Sequence, residues 1–357
     1  MLTRRMRTLG AVLVLVVLGS VLLVAMVHPT LIRDAGYMTR PLWDTPSKPW
    51  TVINRLGDSC DMYGWRERGP GRARKVYDAV IFSTEVDILE LRLRELWDVV
   101  DEFVVVESNT TFVGHSKPLV LAQHMERFAW AKAKLRYHTV TSVRQPGESA
   151  WDNEARMRQR MRETLDKMGI GKDDLVINSD VDEIPNHAVV DLLRRCDGAP
   201  PVMHLSLKGF LYSFEFPEYP DVPENSWRAT IKVYGQDHMY THSRRGDLLF
   251  ANAGWHCSYC FRDLDEHRFK MRSYSHSDRL TSPKMLTDNY LLGRICNGRE
   301  IYGLPPERFT YSDLIYAYGK PPRNHDFSNM PRGLLDDRKK FGFLLPGGRN
   351  CTGHVEA

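Results

Sequence analysis

The sequence predicts an α/β fold, a Rossmann-like and mostly parallel sheet with helices on both faces, and three observations point to it. Short, continuous apolar runs at residues 76–82, 103–106 and 175–177 have the length and β-branched content of strands buried on both sides. Amphipathic stretches of helical period separate them, and strands that alternate with single helices pair in parallel through right-handed crossovers. Polar side chains follow each apolar run, and in such sheets ligands sit at the carboxyl ends of the strands.

The chain opens on Arg4, Arg5 and Arg7, followed by an unbroken run of apolar and small residues over 9–27. A run of this length suits a membrane-crossing helix, and positive charge ahead of it keeps the N-terminus cytoplasmic. A cleavable signal peptide has a shorter apolar region and a small-x-small site, which Ala25-Met26-Val27-His28 does not offer. The expected organisation is a cytoplasmic tail over 1–8, a transmembrane signal-anchor over 9–27, a stem over 28–74 and a lumenal domain over 75–357. Prolines and glycines punctuate the stem, but Trp43, Trp50 and Trp65 make it more apolar than a free linker requires. Its later half is therefore expected to pack on the domain. Two glycosylation sequons, at Asn109 and Asn350, agree with a lumenal location.

The first strand, 76–82, leads into a helix over 85–100 with Leu89, Leu93, Leu96, Trp97 and Val100 on one face. A second strand at 103–106 ends in Glu107-Ser108-Asn109. A loop with Gly114 and Pro118 then leads to a helix over 123–135 and a third strand over 137–140. The next helix, 150–168, buries Met157, Met161, Leu165 and Met168, with Asn153, Arg156 and Arg160 together on an adjoining face. Beyond Pro201 the chain is rich in aromatic rings, which suit either stacking on sugar faces or an ordinary core.

The strand 175–177 runs straight into Asp180-Val181-Asp182-Glu183 and is stopped by Pro185, with another helix beginning near Asn186. Alternation points Asp180 and Asp182 the same way, a hard-oxygen pair suited to Mn2+ or Mg2+ shared with substrate phosphates. An acidic loop capping the next helix is the plainer alternative. Clustered like charges beside an apolar strand are unfavourable unless a cation or partner offsets them. A metal-dependent phosphoester hydrolase would use the same pair.

Several classes are excluded. No Gly-x-Gly-x-x-Gly or Walker loop is present, which removes the common dinucleotide and ATP sites. A net charge of +4, spread evenly, gives nucleic acid no footing. Six cysteines, at 60, 196, 257, 260, 296 and 351, are too few for a disulfide scaffold and fit an enzyme with a few bridges. No second pair completes a zinc site with Cys257 and Cys260.

Four runs together, YDAVIFSTEVDILELR at 77–92, VVDEFVVVESN at 99–109, DVDEIP at 180–185 and AGWHCSYCF at 253–261, resemble glycosyltransferase family 17 and fall in that family's order. The resemblance covers residues 76–278. It implies a GT-A-type fold, UDP-N-acetylglucosamine as donor, a divalent metal, inversion at the transferred sugar, and an N-linked glycoprotein glycan as acceptor. A Golgi membrane location follows. Asp182 is then the first expected metal ligand, Asp180 the second, Glu183 their support, and His256 a third ligand or diphosphate contact. Ser83, Thr84, Glu85 and Glu107 lie on the expected donor edge, and Lys117, Arg156 and Arg160 are candidates to steady phosphates. The acceptor hydroxyl needs a base, for which Glu215, Asp237 and Glu224 are candidates.

Overall fold

The computed structural model describes residues 4–27, 39, 49–54, 56, 57, 59–141, 145, 147–218, 227–235, 240, 241, 243–303, 323–325 and 327–354. The chain divides into two units. The smaller, residues 1–48 and 303–320, contains the helix α1, Arg4–Val27. Its side chains are described without interruption only from Val12 to Leu23, and the large apolar ones there are all more than half exposed. A bilayer requires about 20 apolar residues, and among the described residues no helix is long and apolar enough to cross a membrane.

The larger unit, residues 49–302 and 321–357, is built on an eight-stranded sheet. Its order is β1 (Thr51–Ile53), β13 (Leu248–Phe250), β9 (Val202–Leu205), β12 (Thr230–Val233), β6 (Leu175–Asn178), β3 (Val76–Phe82), β4 (Glu102–Ser108) and β5 (Leu135–Val140). Only β12 runs antiparallel to its neighbours, β9 and β6. The expected mostly parallel sheet is therefore present, with helices on both faces.

The continuous apolar runs arise because alternate residues of each strand enter two different cores. On β3, Val76, Val80 and Phe82 pack with Leu89, Leu93 and Leu96 of α2 (Val86–Leu96). Tyr77 and Ala79 face the other way, against Met157, Met161 and Leu165 of α3 (Ala150–Asp166). Strands β4 and β6 divide in the same manner, Phe103, Val105, Leu175 and Ile177 to one side and Val104, Val106 and Val176 to the other. The helix α4 (His187–Arg195) joins the first core through Val189, Val190, Leu192 and Leu193, and the Asn186 side chain accepts from Ala188 N at its start.

One expectation changes. The helix expected over 123–135 is a four-residue turn, Val120–Gln123, followed by a 3₁₀ segment, Met125–Ala131. Its buried positions, Phe128 and Ala131, lie three apart, which suits three residues per turn. Of the two readings of the rings after Pro201, the ordinary core holds for Phe210, Tyr212, Phe214, Phe216, Tyr240 and Trp255, which are all buried.

The later half of the expected stem packs on the domain. Its strand β1 edges the sheet, and Cys60 is bridged to Cys196 across 136 residues. Arg66–Glu67 (β2) pairs with Cys196–Asp197 (β8) beside that bridge. Two further bridges join Cys257 to Cys260 and Cys296 to Cys351.

A second sheet of four strands orders β11 (Phe216–Glu218), β10 (Lys208–Leu211), β14 (Gly254–Ser258) and β7 (Glu183–Pro185). Gly254 is required where β14 meets β7. Its φ is +149°, and a Cβ there would stand 2.1 Å from the Ile184 carbonyl oxygen.

His267 lies on α5 (Leu264–Ser273) with no exposed surface, and burial pushes its pKa down to about 3. A neutral histidine in the folded state contributes stability that is present above its unfolded pKa near 6.5 and is lost as pH falls below it. His267→Leu is expected to gain about 2 kcal/mol on the wild type between pH 7 and pH 5. Urea denaturation of both proteins at the two pH values measures this, and an unchanged difference would count against a neutral, buried ring.

Candidate active site

The turn after β6 is built around one guanidinium. Arg92 on α2 and Asp78 on β3 are both fully buried, and Arg92 Nε and Nη2 donate to the two Asp78 carboxylate oxygens at 2.8 and 2.6 Å. Arg92 Nη2 also donates to Ser179 Oγ at 2.7 Å, while Nη1 donates to the carbonyl oxygens of Asp180, at 3.0 Å, and Glu183. All five N–H groups are thereby used, three of them on the segment 179–183. Glu183 closes the turn from the other side. Its Oε2 accepts from Asp180 N at 3.0 Å and from Tyr240 Oη at 3.3 Å.

So held, Asp180 and Asp182 line a cleft at the carboxyl edge of the large sheet. Ser83, Thr84 and Glu85 after β3 form part of its wall, with Ser108, Thr110 and Thr111 after β4. Glu154, Met157 and Arg158 of α3 and Phe269, Lys270, Ser273 and Tyr274 of α5 complete it.

Two cations stand among the acids. Lys270 Nζ donates to Asp182 Oδ2 at 2.9 Å and stands 3.4 Å from Glu85 Oε1. Burial opposes its charge, but Asp182 and Glu85 outweigh that and hold the ammonium above its ordinary range. Arg158 Nη2 is 4.0 Å from Asp180 Oδ1, pairs with Glu154 and lies over the Tyr240 ring at 4.7 Å. Asp182 Oδ1, the oxygen Lys270 leaves, stands 3.8 Å from His256 Nε2, which also meets Ser258 Oγ at 3.1 Å. Cys257 N donates to the Asp182 carbonyl at 2.9 Å, so the β14 strand and the acidic turn are fixed to each other. Among the described residues no three His, Cys, Asp or Glu side chains form a ready metal-binding group.

The family model described as Glycosyltransferase family 17 matches residues 5–353. The chain belongs to glycosyltransferase family 17. The β-1,4-mannosyl-glycoprotein 4-β-N-acetylglucosaminyltransferase of Homo sapiens is 30% identical over 313 residues, which cover 76% of this chain and 55% of that protein. Its Rattus norvegicus counterpart is 32% identical, covering 76% and 54%. The chain thus spans about half the length of the curated relatives it matches. The crystal structure of M. tuberculosis glucosyl-3-phosphoglycerate synthase covers 51% of this chain and 64% of its own with a TM-score of 0.27 at 14% identity, a likeness too loose to bear on the fold.

Within this family member the residues expected from sequence divide clearly. Asp180, Asp182, Ser83, Thr84, Glu85 and Lys117 line the cleft, and His256 stands beside Asp182. Lys117 is buried, however, and its ammonium donates to Glu107 Oε1 at 2.7 Å and to the carbonyls of Ser83 and Pro118. Glu107 is equally occupied, accepting from Val120 N, Leu121 N and Tyr137 Oη as well. This pair shapes the wall rather than meeting a phosphate. Arg156 and Arg160 pair with Glu148 and Glu163 away from the cleft. Two positions along a helix turn a side chain by about 200°, so Arg158 faces the cleft and its expected neighbours do not. Glu215 is a tether, its carboxylate held by Arg323 and by Gly347 N. Asp237 and Glu224 lie outside the described residues.

Lys270, Arg158 and Tyr274 are not legible in the sequence as cleft residues. Lys270 sits among Arg268 and Arg272 on a helix of mixed charge, and nothing local distinguishes it.

Arg92→Lys is expected to lower stability by about 3 kcal/mol and to free the 179–183 turn, since an ammonium can supply three donors where five are used. Chemical denaturation gives the first quantity. A variant with unchanged stability would remove Arg92 as the clamp of the turn.

Proposed function

We propose that this chain is an inverting, metal-dependent N-acetylglucosaminyltransferase of GT-A type. In this reading it moves N-acetylglucosamine from UDP-N-acetylglucosamine to a mannose of an N-linked glycan through a bisecting β1,4 bond. Family membership and the activity for which the human and rat relatives are named support the reaction class. The observation that carries the site is the Asp180-Val181-Asp182 turn, held against a cleft at the carboxyl edge of a mostly parallel sheet.

The donor set suits a divalent ion of the manganese or magnesium kind. Asp182 offers the oxygen that faces His256, and Asp180 is about a third exposed. A bound ion would offset the negative charge that gathers on the departing diphosphate. Lys270 and Arg158 bring fixed positive charge to the same wall, which favours a diphosphate over a neutral ligand. Ser83, Thr84 and Glu85 stand where the uridine would meet the first strand's end. The rings of Phe112 and Tyr274, with centroids 6.0 Å apart, add apolar surface to the cleft.

The membrane placement belongs to the same proposal. Its support is the sequence, where the run over 9–27 is apolar or small throughout and carries no charge; among the described residues no helix meets the length and apolarity of a span. The arginines ahead of that run favour a cytoplasmic N-terminus. Three disulfides suit an oxidising lumen. Together these support a single-pass type II protein of the Golgi membrane with the larger unit lumenal.

Purified full-length chain in detergent, given Mn2+ and a biantennary N-glycan, is expected to release UDP from UDP-N-acetylglucosamine and to add one β1,4-linked sugar to the core mannose. Linkage analysis of the product reads this. A new sugar elsewhere would discard the acceptor, and turnover only with UDP-glucose or UDP-galactose would discard the donor. Asp182→Asn should lower the rate by about 10²–10³-fold with the far-ultraviolet spectrum unchanged.

In sealed microsomes the larger unit should resist added protease until detergent is present. Its digestion without detergent would rule out the lumenal placement.

A further inference from the structure

The second sheet carries an acid that the cleft does not use. Glu218 ends β11, and its register partner on β10 is Gly209, whose partner on β14 is His256, which in turn faces Glu183 on β7. Paired positions share a face of a sheet, so Glu218, His256 and Glu183 stand on one side in one row, with a gap where Gly209 has no side chain. The Glu218 side chain leans over that gap. A Cβ added to Gly209 would stand 3.0 Å from Glu218 Cβ and 3.1 Å from its Oε2. The carboxylate therefore reaches along the row toward His256, whose ring lies 3.8 Å from Asp182.

Its neighbours are committed to partners and it is not. Asp182 and Glu85 share Lys270, Asp180 and Glu154 share Arg158, Glu183 holds Asp180 N, and Glu215 is paired with Arg323. Among the described residues the Glu218 carboxylate has no hydrogen bond or ion pair, and only burial and more distant charges act on it. It also lies outside the cleft that Asp182 lines, as does His256. An inverting transfer needs this separation, because the base must stand across the anomeric carbon from the leaving diphosphate.

Resting on the transferase reading above, we propose that Glu218 is the base that takes the proton of the acceptor hydroxyl. As the acceptor oxygen bonds to the anomeric carbon, its proton passes to a Glu218 carboxylate oxygen. The bond from that carbon to the β-phosphate oxygen breaks, and its electron pair leaves with UDP. The protonated Glu218 then returns its proton to solvent.

The test uses full-length wild type, Glu218→Gln and Glu218→Ala in detergent with the nucleotide sugar, Mn2+ and glycan acceptor. Glu218→Gln keeps the shape and should lower kcat for transfer by about 10²–10⁴-fold, with affinity for UDP and Mn2+ unchanged by calorimetry. Added formate should restore part of the rate to Glu218→Ala but not to Glu218→Gln, where the amide fills the space. A merely structural role predicts no such rescue. A Glu218→Gln enzyme that keeps its kcat overturns the assignment and leaves the transferase reading intact. Recovery of that variant by higher Mn2+, or weakened UDP binding, also overturns it, since Glu218 would then serve the donor or the ion. Absence of transfer by the wild type takes down both.

Discussion

The guanidinium of Arg92 is the interaction on which the site depends. A charge with no exposed surface is costly to bury unless every donor finds an acceptor, and here each of the five does. Asp78 neutralises it from β3, while the remaining donors grip the backbone and the Ser179 hydroxyl of the acidic turn. The strand, the helix α2 and the turn are thus one bonded assembly. Asp180 and Asp182 project from that assembly in a fixed direction, although the turn itself has no regular secondary structure beyond β7.

Around it the charges are arranged in nearly closed pairs. Buried carboxylates are tolerated only when paired or strongly hydrogen-bonded, and Glu85, Glu107, Glu154, Asp182 and Glu183 each meet that requirement. Lys270 pairs with both Asp182 and Glu85, so the wall carries part of its own counter-charge. Glu218 stands apart from this pattern.

The second sheet is assembled around small residues. Gly254 lets β14 close on β7 at a distance no side chain permits, and through that contact His256 arrives beside Asp182. Gly209 does the converse on β10, leaving a gap between Glu218 and His256. One glycine brings a strand in and the other keeps a lane open. The Cys257–Cys260 bridge follows His256 directly and closes a short loop after it.

From the sequence alone came the alternation of strand and helix, the parallel sheet, the strands at 76–82 and 175–177 and the placing of Asp180, Asp182, Ser83, Thr84 and Glu85 on one edge. These follow from periodicity and from the chirality of crossovers, which are local rules with long reach. The sequence could not choose Lys270 over Arg268 or Arg158 over Arg156, nor show that Glu107 and Lys117 satisfy each other. It could not set Glu215 aside or bring Glu218 forward. Each of those outcomes depends on which side chains meet from segments tens of residues apart, and a charge reads the same in sequence whether its partner is water, a lysine 88 residues away or nothing at all.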